Sequence, residues 1–175
     1  MLQRTDAWLD EKPYKEIYDG RIHPKVSPQL RHMVVQGAVI SLLLEWARDR
    51  GVSGPEWRVY LDENTSLVPD VSFMSDERLG RLSEEQREKP PLAPELVVEI
   101  RSPDNRERSI RRKTVLYLEH GAIVVLNIDP ATRFVRVATK SGESTLHPGD
   151  AFTHPAFPGL MLRVNAIFAP LDRRR

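Results

Sequence analysis

Apolar residues recur at helical spacing through Leu30, Met33, Val34, Ala38, Leu42 and Trp46, with Ser27-Pro28 before them and Gly51 after. Serine can cap free amides, proline suits the first helical position and glycine stops a helix, so this segment predicts a long helix covering a sheet. Trp57, Val59 and Leu61 alternate as a half-buried strand does. Leu67 to Met74 reads as a further strand, in which Pro69 implies an edge, a bulge or a strand end. Ser75 to Glu88 is charged and helical in composition, with Leu79 and Leu82 as anchors, and Pro90-Pro91 and Pro94 end it.

Glu95 to Ile100 is a short apolar run typical of a central strand buried on both faces. Asn105 to His120 follows as a helix, with Ile110, Thr114, Tyr117 and Leu118 on one face and Gly121 as its stop. Ala122 to Ile128 is a second buried strand, Asp129 to Thr132 a turn, and Arg133 to Ala138 its alternating hairpin partner. This order predicts an α/β (α+β) fold: a mixed β-sheet flanked by helices, with a β-rich C-terminal part.

Length and composition narrow the picture. The 175 residues, 40% hydrophobic and 29% charged, suit one globular domain over 1–175, with 1–12 and 171–175 as frayed ends. Cysteine is absent, so a metal must bind through oxygen or imidazole. Neither a signal peptide nor a membrane span is evident, and a cytoplasmic protein without membrane attachment is expected. Net charge is only +1, but Arg101, Arg106, Arg108, Arg111, Arg112 and Lys113 outnumber Asp104 and Glu107 in one short stretch. Such a cluster either meets phosphates or forms a solvated helix face.

Glu99 breaks the apolar run that carries it. An unpaired ionised carboxylate is too costly to bury, so Glu99 must be neutralised, paired with a cation or bound to metal. Asp70, directly after Pro69, sits where an extended segment ends beside the same sheet. A hard divalent cation such as Mg²⁺ would satisfy both carboxylates. Lys113, at i+3 from Ile110 and four before Tyr117, borders the core-facing stripe of its helix, and its stem can bring the ammonium to the same place. The plain alternative is a Glu99–Lys113 salt bridge holding a helix to a strand, with Asp70 a turn residue.

Val68-Pro69-Asp70-Val71-Ser72-Phe73, then Pro94 to Pro103 with Glu99 inside, then Lys113, Tyr117, Gly121 and Asp129-Pro130 form an ordered pattern. It resembles the Uma-type putative restriction endonuclease family, a branch of the PD-(D/E)xK nuclease superfamily. Glu16-Ile17-Tyr18-Asp19-Gly20 looks like that family's early strand motif, His32 stands in the place of a family histidine, and Pro158-Gly159-Leu160 looks like its closing motif. The resemblance implies a restriction-endonuclease-like fold and a Mg²⁺-dependent endonuclease, with Mn²⁺ as a substitute ion. Asp70 and Glu99 would be metal ligands and Lys113 the lysine that positions water or phosphate, moved from the strand to the following helix. Glu16 and His32 would form an outer part of the site.

The superfamily's usual lysine position, two residues after the glutamate, is Arg101 here; arginine can bind phosphate but cannot act as a base. Arg101, Arg106, Arg108 and Arg112 are the candidate phosphate contacts. Where the family often has an acidic residue four positions before the helical lysine this chain has Ser109, and where it often has a strand tryptophan this chain has Leu126. The expected partner is double-stranded DNA. Cutting both of its strands suggests a homodimer, for which Phe134, Phe152, Phe157 and Phe168 offer apolar surface. The competing function is a catalytically inactive nucleic-acid-binding or protein-interaction module of the same fold. A nucleotide-binding protein fits poorly, because the nine glycines form neither a phosphate loop nor a dinucleotide fingerprint.

Overall fold

The structure is a computed structural model that describes residues 11–25, 29–103 and 106–172; the expected Ser27-Pro28 helix cap and Asn105 helix start lie outside these. The chain opens with a hairpin of β1 (Lys15–Tyr18) and β2 (Arg21–Pro24). Asp19 and Gly20 between them both have positive φ, 50° and 68°, as the tightest hairpin turns require. Helix α1 (Leu30–Ala47) follows, then β3 (Gly51–Pro55), β4 (Val59–Asp62), β5 (Thr65–Leu67) and β6 (Val71–Ser75). The extended stretch read as one strand from Leu67 to Met74 is thus two strands, and they belong to different sheets. Pro69, which cannot donate to a ladder, marks the break.

The charged stretch after Ser75 forms two short helices, α2 (Asp76–Gly80) and α3 (Glu84–Glu88). Ser83 restarts the helix with a capping box completed by Gln86. Next come β7 (Leu96–Ile100), α4 (Glu107–Glu119), β8 (Val124–Asp129), β9 (Phe134–Thr139) and β10 (Gly142–Leu146). Two short strands, β11 (Ala151–Phe152) and β12 (Leu162–Arg163), precede α5 (Val164–Phe168), a helix that the sequence pattern had not suggested, and a 3-10 turn over Ala169–Asp172. That turn corrects the expectation of a frayed end from 171: Leu171 packs against the core and Asp172 pairs with Arg133.

The six-stranded sheet has the order β10-β9-β8-β7-β6-β3, with β7 and β8 parallel through the α4 crossover and the other neighbours antiparallel. A second sheet has the order β2-β1-β5-β4. Alternation along β7 divides the interior. Leu96, Val98 and Ile100 face α1 and the C-terminal segment, while Val97 faces α4, Tyr18 and the smaller sheet. Each fully buried Val, Leu or Ile contributes roughly 1.5–3 kcal/mol relative to an exposed one, so both layers stabilise the fold substantially.

Two expectations need correction. The buried face of α1 is His32, Val35, Val39, Leu43 and Ala47, whereas Leu30 and Met33 are exposed. Apolar residues lie nearly all round this helix, so spacing alone does not select the face. Phe152, Phe157 and Phe168 are buried in the core and offer no dimer surface; of the four aromatics only Phe134 is partly exposed. Among the described residues no helix is long and apolar enough to cross a membrane.

Gly51, read as a helix stop, is the first residue of β3. A Cβ there would lie 2.2 Å from the Met74 carbonyl oxygen and 2.7 Å from the Ser75 Cα. Gly51→Ala is therefore expected to cost about 1–3 kcal/mol through overpacking against the backbone of β6. Urea denaturation measures it, and an unchanged midpoint would contradict the close approach.

Candidate active site

Strand register brings the two predicted acids together. Val71 pairs with Val98 and Ser72 with Val97, so one step beyond the ladder Asp70 falls opposite Glu99. Opposed residues of an antiparallel pair share a face, here the one turned toward α4. Both side chains are buried and line one cavity of about 720 Å³, together with Glu16, Lys25, His32 and Lys113.

Asp70 is held on several sides. Its Oδ2 accepts the Ile100 backbone N–H at 2.6 Å and lies 3.1 Å from His32 Nε2. Its Oδ1 lies 2.8 Å from Lys25 Nζ but makes no well-directed hydrogen bond. The Gln36 amide donates to the Asp70 carbonyl at 2.8 Å. The contacts from His32 and Gln36 come from one end of α1, four residues and one turn apart.

Glu99 and Glu16 share Lys113. The ammonium donates to Glu99 Oε2 at 2.8 Å and to the two Glu16 oxygens at 3.0 and 3.2 Å. Tyr117, one helical turn beyond Lys113, donates its hydroxyl to Glu99 Oε1 at 2.8 Å. Glu16 Oε1 also accepts the Val68 backbone N–H at 2.9 Å. Lys113 thus ties a residue of β1 to one of β7 from its place on α4.

Burial and charge act oppositely on the two opposed acids. Burial pushes the Asp70 carboxyl up, but the Lys25 ammonium and the His32 bond outweigh it, and Asp70 is held well below the usual carboxylate range. Burial dominates at Glu99, and Asp70 and Glu16 push the same way against Lys113, so its pKa is raised. Burial alone would lower Lys113, yet Glu16 and Glu99 reverse this and keep it charged. Asp70 does the same for Lys25.

The predicted arginines separate. Arg101 and Arg106 line the cavity, and Arg101 faces Glu107 at 3.5 Å and Asp129 at 3.6 Å. Arg108 and Arg112 lie outside the lining, and Arg112 is bound to Asp19 at 2.7 Å. Sequence reasoning missed Lys25, which stands alone after Pro24 in no periodic pattern. It also missed Arg136, which lines the cavity and reaches Glu107 at 2.7 Å, and it took Tyr117 for a core residue only. The i, i+4 spacing of Lys113 and Tyr117 was the available signal for the last.

Among the described residues no group of three or more His, Asp or Glu side chains is arranged as a ready ligand set. The donor chemistry nevertheless suits a hard cation. Carboxylate oxygens line the cleft, Asp70 Oδ1 lacks a directed bond, and Glu99, raised first by burial and then by Asp70 and Glu16, would have its charged form favoured by a cation.

A model of the Uma2 family, described as "Putative restriction endonuclease", matches residues 2–165. The chain belongs to the Uma2 family. A solved structure of a putative nuclease belonging to DUF820, from Anabaena variabilis ATCC 29413, is similar to this Uma2 chain with a TM-score of 0.82 and 25% identity. The match covers 95% of this chain and 97% of that one. No curated protein matches the chain. The fold of this Uma2 member is restriction-endonuclease-like, and both descriptions point to a nuclease.

The opposed shifts predict opposite pH effects. Asp70, depressed in the folded state, contributes stability that is present above its unfolded value near 4 and lost as pH falls below it. Glu99, raised in the folded state, contributes stability that is present below its unfolded value and lost as pH rises through the folded one. In denaturation curves measured from pH 3 to 8, Asp70→Asn should flatten the acid limb, and Glu99→Gln should reduce the loss on the rising side. Parallel curves for parent and variants would contradict the assignment.

Proposed function

We propose that this Uma2 chain is a divalent-metal-dependent endonuclease hydrolysing phosphodiester bonds of double-stranded DNA in the cytoplasm. The observation that carries the reading is the convergence of Asp70, Glu99 and Lys113 on one cleft. Asp70 and Glu99 would hold Mg²⁺, or Mn²⁺ in its place. When bound, the ion stabilises charge developing on the phosphodiester and makes water a stronger acid. Lys113, held charged by two glutamates, serves as a hydrogen-bond donor that orients phosphate or water and not as a base. Glu16 positions Lys113, and His32 positions Asp70. Arg101 and Arg106 offer donors to phosphate along the cleft, while Arg108 and Arg112 would meet flanking phosphates.

A second reading has a specific observation behind it. The carboxylates of Glu16, Asp70 and Glu99 all have polar partners within the chain, as a purely structural network requires. The chain would then be an inactive nucleic-acid-binding or protein-interaction module. Incubation with supercoiled plasmid separates the two. The nuclease should produce nicked and linear DNA with Mg²⁺ or Mn²⁺ and not with chelator. Glu99→Gln and Lys113→Ala should each lower the rate by about 100-fold or more while leaving DNA affinity within about threefold. DNA binding without cleavage under either ion would favour the inactive module.

One cleft per chain and two strands per duplex lead us to propose a two-fold homodimer as the cutting species. Light scattering should give the mass of two chains plus one duplex when DNA is bound. A monomer with and without DNA would contradict the dimer.

A further inference from the structure

We propose that Lys25 is a built-in counter-ion of Asp70 that a divalent cation must displace, so that Lys25 sets how tightly the cleft holds metal. This rests on the metal-binding reading of the same cleft.

Lys25 is half-buried, and its ammonium touches two groups of one short segment. It lies 2.8 Å from Asp70 Oδ1 and donates to the Val68 carbonyl at 2.6 Å. Asp70 Oδ2 is already engaged by the Ile100 N–H and by His32, which leaves Oδ1 as the oxygen for an incoming cation. Lys25 Nζ stands against that oxygen. An ammonium and a divalent ion in contact with one carboxylate oxygen repel strongly in a buried site, so the two positions exclude each other.

Charge counting agrees. The groups joined through Lys25 and Lys113 leave one unbalanced negative charge, from Glu16, Asp70 and Glu99 against the two ammoniums, while the cleft's other carboxylates, Glu107 and Asp129, face Arg101 and Arg136. A divalent ion added beside both lysines would leave one unbalanced positive charge, whereas the same ion in place of Lys25 leaves none. The departure needs no backbone movement. The Lys25 N–H is anchored to the Tyr14 carbonyl at 2.7 Å, and the flexible four-carbon stem can swing the ammonium away from Asp70 toward solvent, to which 14% of the side chain is already exposed. Lys113 is not the exchangeable cation, because two glutamates hold it.

Calorimetric titration of Mn²⁺ and Mg²⁺ into the parent, Lys25→Met and Glu99→Gln proteins tests the idea. Lys25→Met should bind Mn²⁺ about tenfold tighter or more than the parent, and its melting temperature should rise further on adding the ion. Equal or weaker binding by folded Lys25→Met, with binding lost in Glu99→Gln, overturns the role of Lys25 and leaves the metal site standing. No binding by parent or Lys25→Met overturns both. If Lys25→Met does not fold even with Mn²⁺, reductive methylation of the parent decides. Lys25 should be modified about tenfold faster or more at saturating Mg²⁺ than in chelator, with Lys113 protected in both. Unchanged protection of Lys25 overturns the proposal.

Discussion

The hydrogen bond from the Ile100 backbone N–H to Asp70 Oδ2, 2.6 Å long and buried, is the contact on which fold and site both depend. Between β5 and β6 the chain passes from the smaller sheet to the larger within three residues, Val68, Pro69 and Asp70. Such a passage leaves backbone groups without ladder partners in the interior, and each must be bonded elsewhere. The Val68 N–H goes to Glu16, the Val68 carbonyl to Lys25 and the Asp70 carbonyl to Gln36. The Asp70 side chain in turn completes the end of β7. The ionisable groups of the cleft are therefore the ones that satisfy the crossover, and the site is part of the fold's own hydrogen-bonding solution.

This arrangement explains why the two opposed carboxylates differ. Asp70 collects a backbone donor, an imidazole and an ammonium, which together outweigh its desolvation. Glu99 has one ammonium, shared with Glu16, and one neutral hydroxyl, and two acids face it. Glu95, at the other end of the same run, provides the contrast. It accepts from the Ser75 hydroxyl and the Ser75 backbone N–H and faces Arg78 at 3.2 Å. A buried glutamate on a central strand is thus no sign of chemistry by itself. Like charges converging on it without full compensation are what distinguish Glu99.

The parts legible in the sequence were those where one periodicity held without ambiguity. β7, β8 and α4 follow from short apolar runs and a clear helical stripe, and a carboxylate inside such a run drew attention to Glu99. Asp70 was legible through Pro69, whose missing donor marks a strand end. Less was available where patterns overlap. The stripe of α1 could be drawn through Leu30 and Met33 because the helix is apolar nearly all round, yet the sheet takes Val35, Val39 and Leu43. The C-terminal phenylalanines looked like surplus surface because α5, which buries Phe168 itself, is too short to show a period. Lys25 had no signal at all, since its place depends on a contact 45 residues away in sequence.

The position of the lysine follows from where β7 stops. Arg101 stands two residues after Glu99 and would share its face if the strand ran on, but β7 ends at Ile100 and Arg101 turns toward Glu107 and Asp129. The helix then returns a cation to Glu99. α4 crosses back from β7 to β8, and its buried face presents Lys113 and Tyr117 together to Glu99. One turn before Lys113, Ser109 lines the same cleft as Tyr18, which stacks on His23 at 3.9 Å. An acid at 109 would have set a further carboxylate beside Lys113, whose ammonium Glu16 and Glu99 already share; serine adds no charge there.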